Sequence, residues 1–333
     1  MKTAAVCDSI TDFGRVYGEN VIEYLRKNAD FDGVCYTKEQ VLCDSHSFCD
    51  TEYIFSTWGM PVFSMDEIRN VFPSLKCVFY AAGTVQNFAR PFLNCGVKVF
   101  SAWAANAVPV AEYTAAQIVL ANKGFFKSSA LASGGSYAEA AGEFKNYPGN
   151  YGAKVGIIGA GMIGKLVIKK LKDYDMSVLT FDPFLPDDTA AQLGAEKTTL
   201  ERVFSECNVI SNHLANNEQT RGMLNGTLFE KMPPYCTFLN TGRGAQVVEA
   251  DLIKTLENRP DITAILDVTD PEPPESGSKF YTLPNCILTP HIAGSSGSEV
   301  KRMSVCMLEE FKKYVNGEKT EYEVTRKMLD TMA

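Results

Sequence analysis

The sequence predicts an α/β protein with two doubly wound parallel-sheet domains, and three observations indicate this fold class. Short apolar runs alternate with helical patterns along the first hundred residues. The same alternation, with more apolar runs, resumes after residue 151. One long helical pattern separates the two halves. Such alternation is expected for parallel strands because each parallel connection needs a crossover, usually a helix.

In the first half, we predict five strands and two helices from these patterns. The strands are expected at 4–7, 33–36, 53–56, 76–80 and 97–100, and the helices at 20–28 and 65–71. Two of the loops that follow these strands, 57–60 and 81–84, carry candidate ligand-binding residues. Ligands of open α/β sheets bind at the carboxyl ends of the strands, so we expect both loops to face a ligand.

The central helical pattern has recognisable end signals. Asn106 is a predicted N-cap, Pro109 fits the first turn, and Gly124 ends the helix. The following segment, 128–151, is rich in Gly, Ser and Ala and predicts no element; an arm or a subunit contact is expected there.

The second half predicts the strand complement of a complete dinucleotide-binding sheet. Six strands are expected, at 155–158, 178–181, 209–213, 237–240, 264–267 and 287–289, followed by a helix at about 298–314. Because that helix is available to return to the first domain, we predict a discontinuous domain of residues 1–103 and 297–333. Residues 104–296 form the other domain in this prediction.

The motif G-A-G-M-I-G at 159–164 lies between a strand and a helix, and a second strand ends on Asp182. Gly159 permits a tight turn, Gly161 allows the backbone to approach a pyrophosphate, and Gly164 allows close packing of helix on strand. Asp182 can accept the ribose hydroxyls and would repel a 2′-phosphate. These features predict a Rossmann domain that binds NAD rather than NADP.

Composition excludes several classes of partner. The 333 residues are 45% hydrophobic and 22% charged, with a net charge of −8, which argues against nucleic acid or an anionic membrane surface as partner. No apolar run is long enough to span a bilayer, and no signal-peptide pattern precedes the first strand, so a cytoplasmic protein is expected.

The ten cysteines do not indicate disulfides or a metal site. Most lie in apolar runs or helices, where a reduced cysteine acts as a small hydrophobe. Cys43, His46 and Cys49 form the one cluster of sulfur and imidazole, and their spacing fits no standard zinc pattern. We therefore predict no metal.

Three polar residues follow strands of the second half, so they are expected at one edge of the sheet with the dinucleotide. Arg243 in T-G-R-G can clamp a carboxylate. His291 in T-P-H-I-A-G-S can exchange a proton near neutral pH. Glu272 in D-V-T-D-P-E-P can orient the imidazole, although Asp270 and Glu275 compete for this role. Together they suggest oxidation of a 2-hydroxy acid or reduction of a 2-oxo acid.

The chain resembles the D-isomer-specific 2-hydroxyacid dehydrogenase family. The resemblance is carried by G-A-G-M-I-G, L-N-T-G-R-G, I-L-D-V-T-D-P-E-P and L-P-N-C-I-L-T-P-H-I-A-G-S, and it extends through nearly the whole chain. It implies that Arg243 binds the substrate, that Glu272 is the partner of the histidine, and that His291 is the acid/base. It also implies a flavodoxin-like substrate domain, a Rossmann NAD-binding domain and a homodimer built largely by the cofactor domains.

By the same resemblance, further residues are expected at the cofactor and the substrate. The expected cofactor contacts, besides the glycines, Asp182 and His291, are Met162, Ile163, Thr241, Gly242, Asp267 and Gly294. The expected substrate contacts are Ala82, Gly83 and Thr84, with backbone N–H groups near Gly83 and Thr84 holding the carboxylate. Trp58 is a candidate wall of the substrate pocket.

One segment departs from the family pattern. After His213 the chain reads L-A-N-N-E-Q-T where the family usually has L-P-L-T-x-x-T, so the cofactor contacts around Ala215 and Asn216 do not transfer. For His213 itself, a structural role is favoured over a cofactor contact.

Two other functions use a similar scaffold. One is a formate-dehydrogenase-like oxidation, and the other is a regulatory protein that senses NAD(H) without catalysis. The joint presence of Arg243, Glu272 and His291 favours a 2-hydroxyacid dehydrogenase over both. The substrate side chain and the preferred direction do not follow from the sequence.

Overall fold

A computed structural model describes residues 1–330 of the chain. The chain divides into two compact units. The first contains Met1–Ala107 and the chain from Ser295 onward, and the second contains Val108–Gly294. The first unit is therefore discontinuous in sequence.

The strands and helices alternate along both units. The strands are β1 (Thr3–Val6), β2 (Cys35–Tyr36), β3 (Tyr53–Ser56), β4 (Cys77–Tyr80), β5 (Lys98–Ser101), β6 (Lys154–Ile158), β7 (Ser177–Phe181), β8 (Ala195–Lys197), β9 (Val209–Asn212), β10 (Thr237–Asn240), β11 (Thr263–Leu266), β12 (Cys286–Leu288) and β13 (Glu323–Val324). The helices are α1 (Ile10–Val16), α2 (Glu19–Asn28), α3 (Lys38–Cys43), α4 (Met65–Val71), α5 (Ala89–Asn94), α6 (Trp103–Asn122), α7 (Phe125–Ser133), α8 (Tyr137–Glu143), α9 (Met162–Leu171), α10 (Asp187–Leu193), α11 (Leu200–Glu206), α12 (Gly226–Phe229), α13 (Glu249–Asn258) and α14 (Val300–Val315).

The first sheet has the strand order β2-β1-β3-β4-β5-β13. Strands β1 to β5 are parallel, and their order is that of flavodoxin-like sheets. Strand β13 pairs antiparallel with β5. This confirms the flavodoxin-like sheet expected for the first half.

The second sheet has the order β8-β7-β6-β9-β10-β11-β12, with every pair parallel. This order is that of the Rossmann fold with one strand added at the edge. The strand order reverses between β6 and β9, which are hydrogen-bonded neighbours. In open α/β sheets ligands bind at the carboxyl ends of the strands beside such a reversal.

Each unit has its own apolar core. In the first unit, Phe55, Phe79 and Phe311 form a group of stacked and edge-on rings that joins the sheet to α14. In the second unit, α9 buries Val167, Ile168 and Leu171 on one face, as its apolar spacing predicts.

The central helix differs from its prediction. It begins at Trp103, so Asn106 lies inside α6 and the prediction of an N-cap there was wrong. The alanines around Asn106 favour helix and extend it by about a turn. The Asn106 side chain instead accepts a hydrogen bond from Ser295 N at 3.1 Å. Pro109, expected in the first turn, also lies inside the helix.

Several further elements were not predicted, among them α7, α8 and β8. The segment expected to be irregular, 128–151, contains part of α7 and all of α8. Strand β8 is three residues of mixed polarity, A-E-K, and makes the second sheet seven-stranded rather than six-stranded. Short elements of this composition carry too little periodicity to be recognised.

No helix in the described part of the chain is long and apolar enough to cross a membrane. Within residues 1–330, no group of three or more His, Cys, Asp or Glu side chains is arranged to hold a metal ion.

Candidate active site

The glycine turn between β6 and α9 is built by close backbone contacts. Gly159 has φ +88°, and a Cβ there would lie 2.8 Å from the carbonyl of His213. A Cβ on Gly164 would lie 2.1 Å from the Gly159 carbonyl oxygen. A Cβ on Gly161, by contrast, would meet nothing within 4 Å. Gly161 therefore faces open space at the start of α9, where the first N–H groups have no acceptor within the helix.

This arrangement fits the pyrophosphate of a dinucleotide. Helix N–H groups and the positive end of the helix dipole are directed at the space beside Gly161. Met162 is exposed and Ile163 is partly buried at the same helix start.

Asp182 lies directly beside this turn. Its Oδ2 accepts from Ala160 N at 2.8 Å, and its Oδ1 accepts from Phe184 N at 2.8 Å. These bonds fix the carboxylate, and each oxygen keeps a further lone pair for a hydroxyl donor. The geometry is compatible with the ribose contact expected from the sequence.

His291 and Glu272 form a direct contact. The distance from His291 Nδ1 to Glu272 Oε1 is 2.8 Å, with both side chains partly exposed. Of the three competing acids Asp270, Glu272 and Glu275, Glu272 is therefore the one that reaches the imidazole, whereas Asp270 pairs with Arg221. Because Nδ1 is held by the carboxylate, Nε2 is the ring nitrogen left for proton exchange.

The His291 loop is held by a buried acid. Asp267 Oδ1 accepts from Ile292 N at 2.8 Å and from Thr289 Oγ1 at 2.6 Å, and its Oδ2 accepts from Ala293 N at 2.9 Å. Its carbonyl oxygen accepts from His291 N at 3.1 Å. His291 has φ +55°, a conformation that non-glycine residues rarely adopt and that must be maintained by its surroundings. Asp267 supplies that support.

Arg243 follows β10 and is half-buried. Its Nη1 donates to Gly242 O at 2.7 Å, and within residues 1–330 its guanidinium forms no ion pair with a carboxylate. Burial lowers the pKa of Arg243, and the negative charge of Glu272 acts in the opposite direction. A guanidinium nevertheless stays charged at neutral pH, so Arg243 is a desolvated cation suited to an anionic group.

His213 is a partly buried, neutral imidazole. Its Nε2 lies 3.0 Å from Ser211 Oγ and its Nδ1 lies 3.4 Å from Thr241 Oγ1. Burial lowers the pKa of His213 to about 3. The hydroxyl partners on both nitrogens support the structural role that the sequence favoured.

In the first unit, the loop after β4 is held by Ser101. Its Oγ lies 2.9 Å from Ala82 O and 2.6 Å from Gly83 O. Gly83 is partly buried and Thr84 is exposed. Trp58, in the loop after β3, is partly exposed, and the Arg15 guanidinium lies 5.4 Å from the centroid of its ring.

The structure thus brings together some of the residues named from the sequence. Glu272 and His291 are in contact, Asp182 touches the glycine turn, and Asp267 anchors the His291 loop. Thr241 packs at His213, and Gly294 ends the second unit. Among the hydrogen bonds and ion pairs of residues 1–330, none joins Arg243 to His291. The cofactor and substrate roles of all these residues stay predictions.

Sequence reasoning missed a group of buried carboxamides below the Arg243 loop, namely Asn212 and Gln246 together with Asn240. The available signal was an asparagine at the carboxyl end of two strands that each contain an apolar pair, V-I-S-N and T-F-L-N.

The seven-stranded parallel sheet, the glycine turn and the adjacent acid define the second unit as a Rossmann-type dinucleotide-binding domain. The sequence model for "D-isomer specific 2-hydroxyacid dehydrogenase, NAD binding domain" matches residues 116–293. The chain belongs to the D-isomer-specific 2-hydroxyacid dehydrogenase family.

Several curated proteins are similar in sequence. The D-3-phosphoglycerate dehydrogenase of Bacillus subtilis (strain 168) is 29% identical over 255 residues, which are 76% of this chain and 47% of that protein. The (S)-sulfolactate dehydrogenase of Chromohalobacter salexigens is 30% identical over 209 residues, which are 62% of this chain and 67% of that protein. The matched region spans about half the length of the first of these relatives.

Among solved structures, the apo form of Rhodotorula graminis D-mandelate dehydrogenase has a TM-score of 0.81. It covers 98% of this chain, and 98% of its own chain is matched, at 18% identity. At this identity the match supports the two-sheet fold alone.

The depressed pKa of His213 predicts a pH-dependent stability. The unfolded chain binds this proton below about pH 6.5, the ordinary value, whereas the folded chain binds it near pH 3. The contribution is therefore fully present above pH 6.5 and is lost as the pH falls towards 3. We expect the free energy of unfolding, measured with urea between pH 6.5 and 5, to fall less steeply in His213→Gln than in the wild type, by up to about 1.4 kcal/mol per pH unit.

His46→Gln, which removes an exposed histidine of the first unit, is the matched control. Parallel slopes for the wild type and His213→Gln would contradict the assignment of a neutral His213.

Proposed function

We propose that the protein transfers a hydride between NAD(H) and a small D-2-hydroxy acid or 2-oxo acid. The observation that carries this proposal is the 2.8 Å contact between His291 Nδ1 and Glu272 Oε1. Both residues follow strands of the Rossmann sheet, whose carboxyl ends also carry the glycine turn. A proton-transfer pair and a dinucleotide cradle on one sheet edge are what such a reaction requires.

NAD(H), when bound, supplies or accepts the hydride at C2 of the substrate. In the reductive direction, His291 Nε2 gives a proton to the carbonyl oxygen, which becomes the hydroxyl of the product. Glu272 holds the ring through Nδ1 and stabilises the positive charge of the protonated imidazole. In the oxidative direction, the same Nε2 takes the hydroxyl proton.

Arg243 is the proposed clamp for the substrate carboxylate. A guanidinium presents two parallel donors to a carboxylate, and its partial desolvation strengthens that attraction. The contact also holds the adjacent C2 carbonyl in a fixed orientation. Loss of this positioning would weaken both binding and turnover.

We propose that the loop after β4 supplies backbone donors for the substrate. Ser101 Oγ lies close to the carbonyl oxygens of Ala82 and Gly83 and so holds the two peptides whose N–H groups belong to Gly83 and Thr84. Trp58 is a proposed wall of the substrate pocket. In this proposal the first unit is the substrate domain and the second is the NAD-binding domain; the homodimer stays a prediction.

The relatives do not fix the substrate. Their names refer to 3-phosphoglycerate and to sulfolactate, which share the 2-hydroxy acid group and differ beyond it. We therefore propose the reaction class and leave the substrate side chain to a panel of 2-oxo acids that includes hydroxypyruvate, pyruvate and glyoxylate.

Replacement of His291 removes the proposed proton-transfer group. We expect the wild type to oxidise NADH with at least one acid of the panel, measured by absorbance at 340 nm. His291→Ala should lower kcat by about 10²- to 10⁴-fold, because only the proton transfer is removed. The Kd for NADH, measured by fluorescence titration, should change little.

Tyr281→Phe is a control on the same unit, since this exposed side chain follows the Glu272 loop and donates a hydrogen bond to Pro274 O at 3.1 Å. NADH binding without turnover of any acid by the wild type would instead favour a sensing protein. An equal loss of NADH affinity in His291→Ala would refute the assigned role.

Replacement of Asp182 tests the proposed preference for NADH over NADPH. We expect Asp182→Ala to lower kcat/KM with NADH and to raise it with NADPH, because the carboxylate that binds the ribose hydroxyls and repels a 2′-phosphate is removed. The ratio of the two kcat/KM values reports the change. If this ratio does not move, Asp182 is not the ribose contact.

A further inference from the structure

Three buried carboxamides lie below the Arg243 loop in the second unit. Asn212 ends β9, Asn240 ends β10, and Gln246 follows the loop; their exposed fractions are 0%, 1% and 0%. Asn212 Nδ2 donates to Asn240 Oδ1 at 3.0 Å and to Gln246 Oε1 at 2.6 Å. The three side chains therefore form one connected network.

The remaining polar atoms of this network bind the backbone of the Arg243 loop. Gln246 Oε1 accepts from Arg243 N at 3.1 Å, and Asn240 Nδ2 donates to Arg243 O at 3.2 Å. Asn240 Oδ1 accepts from Gly242 N at 3.1 Å. Both backbone polar groups of Arg243 are thus held by side chains of the network.

On its other side, the network is anchored to the segment after β9. Gln246 Nε2 donates to Leu214 O at 2.7 Å, and Asn212 Oδ1 accepts from Leu214 N at 3.2 Å. Every carboxamide nitrogen and oxygen of the three side chains therefore has a partner. A fully satisfied buried network is rigid, whereas one with an unpaired member is strongly destabilised.

The space around Gly242 fits this network. A Cβ on Gly242 would lie 2.9 Å from Gln246 Oε1 and 3.0 Å from Asn212 Nδ2. The two carboxamides occupy the room that a side chain at position 242 would need. Glycine at position 242 therefore leaves the room that the two carboxamides need.

We propose that Asn212, Asn240 and Gln246 are positioning residues for Arg243, and that they set its backbone for binding the substrate carboxylate. Apolar side chains of similar size would leave backbone groups of Arg243, Gly242 and Leu214 without these partners. The bonds of the carboxamides therefore stabilise the two backbone segments and also specify their geometry. This inference rests on the proposed function, in which Arg243 clamps the carboxylate.

The test compares Gln246→Met, which keeps the length of the side chain without its hydrogen bonds, with a matched control, Asn285→Leu. Asn285 is also a buried carboxamide of the second unit, and its Nδ2 donates to Leu256 O at 3.0 Å, Arg259 O at 3.2 Å and Ile262 O at 2.9 Å. Both variants lose buried hydrogen bonds, so both should have a lower Tm. Only Gln246→Met removes a hydrogen bond from the backbone of Arg243.

Two readouts separate positioning from stability. Hydrogen exchange of the Arg243 amide should become at least about tenfold faster in Gln246→Met and should not change in Asn285→Leu. The KM for the best 2-oxo acid and the inhibition constant of oxamate should both rise at least about tenfold in Gln246→Met, with a much smaller change in the Kd for NADH.

A second variant guards against misfolding. If Gln246→Met does not fold, Gln246→Asn, which keeps a carboxamide but is one methylene too short to make all of the same hydrogen bonds, is measured in the same way. Unchanged exchange and KM in the folded variant, or an equal rise of KM in Asn285→Leu, would overturn the proposal. Absence of turnover by the wild type would overturn the proposed function instead, and exchange at Arg243 would then decide whether the network holds the loop.

Discussion

The close approach of Gly159 to the backbone of His213 and Leu214 is the contact on which the candidate site depends. It joins the turn after β6 to the segment after β9, the two neighbouring strands between which the strand order reverses. A side chain at Gly159 would separate these segments, since its Cβ would lie 2.8 Å from the His213 carbonyl. The start of α9, the Asp182 carboxylate and the Leu214 anchor of the carboxamide network are all positioned relative to this contact.

Buried polar side chains complete the sheet edge. Asp267 fixes the His291 loop with three accepted hydrogen bonds, and the carboxamides fix both sides of the Arg243 peptide. The loops that carry His291 and Arg243 are therefore held by buried side chains to which the proposed reaction assigns no proton or hydride transfer. Rigid support of this kind limits the motion of an exposed histidine and of a half-buried arginine.

Much of the two sheets and the glycine turn could be predicted from the sequence, because the signals for strands and for this turn are local. Strands β3, β6 and β10 each contain a short apolar stretch, and G-A-G-M-I-G followed by an acid has a fixed spacing. The contact of Glu272 with His291 is predictable only in part. Both residues follow strands, but the choice among Asp270, Glu272 and Glu275 required the structure or a family resemblance. The prediction of an N-cap at Asn106 was wrong because neighbouring alanines extend the helix past this residue.

The carboxamide network could not be predicted, because Asn212 and Gln246 are 34 residues apart and meet only through the pairing of β9 with β10. Sequence patterns describe neighbours along a helix or strand, whereas this contact depends on the order of strands across the sheet. Strand β8 was missed for a different reason, since three residues of mixed polarity have no period to detect.

The transfer of deuterium from NADH labelled at C4 of the nicotinamide tests the proposed hydride transfer to a 2-oxo acid directly. The wild-type chain is incubated with each labelled C4 epimer and the panel of 2-oxo acids, and the 2-hydroxy acids formed are separated by configuration and analysed by mass spectrometry. We expect one deuterium at C2 of a D-2-hydroxy acid, from one epimer only. Bound NADH with no deuterium in any 2-hydroxy acid, or deuterium in the L-isomer, would contradict it.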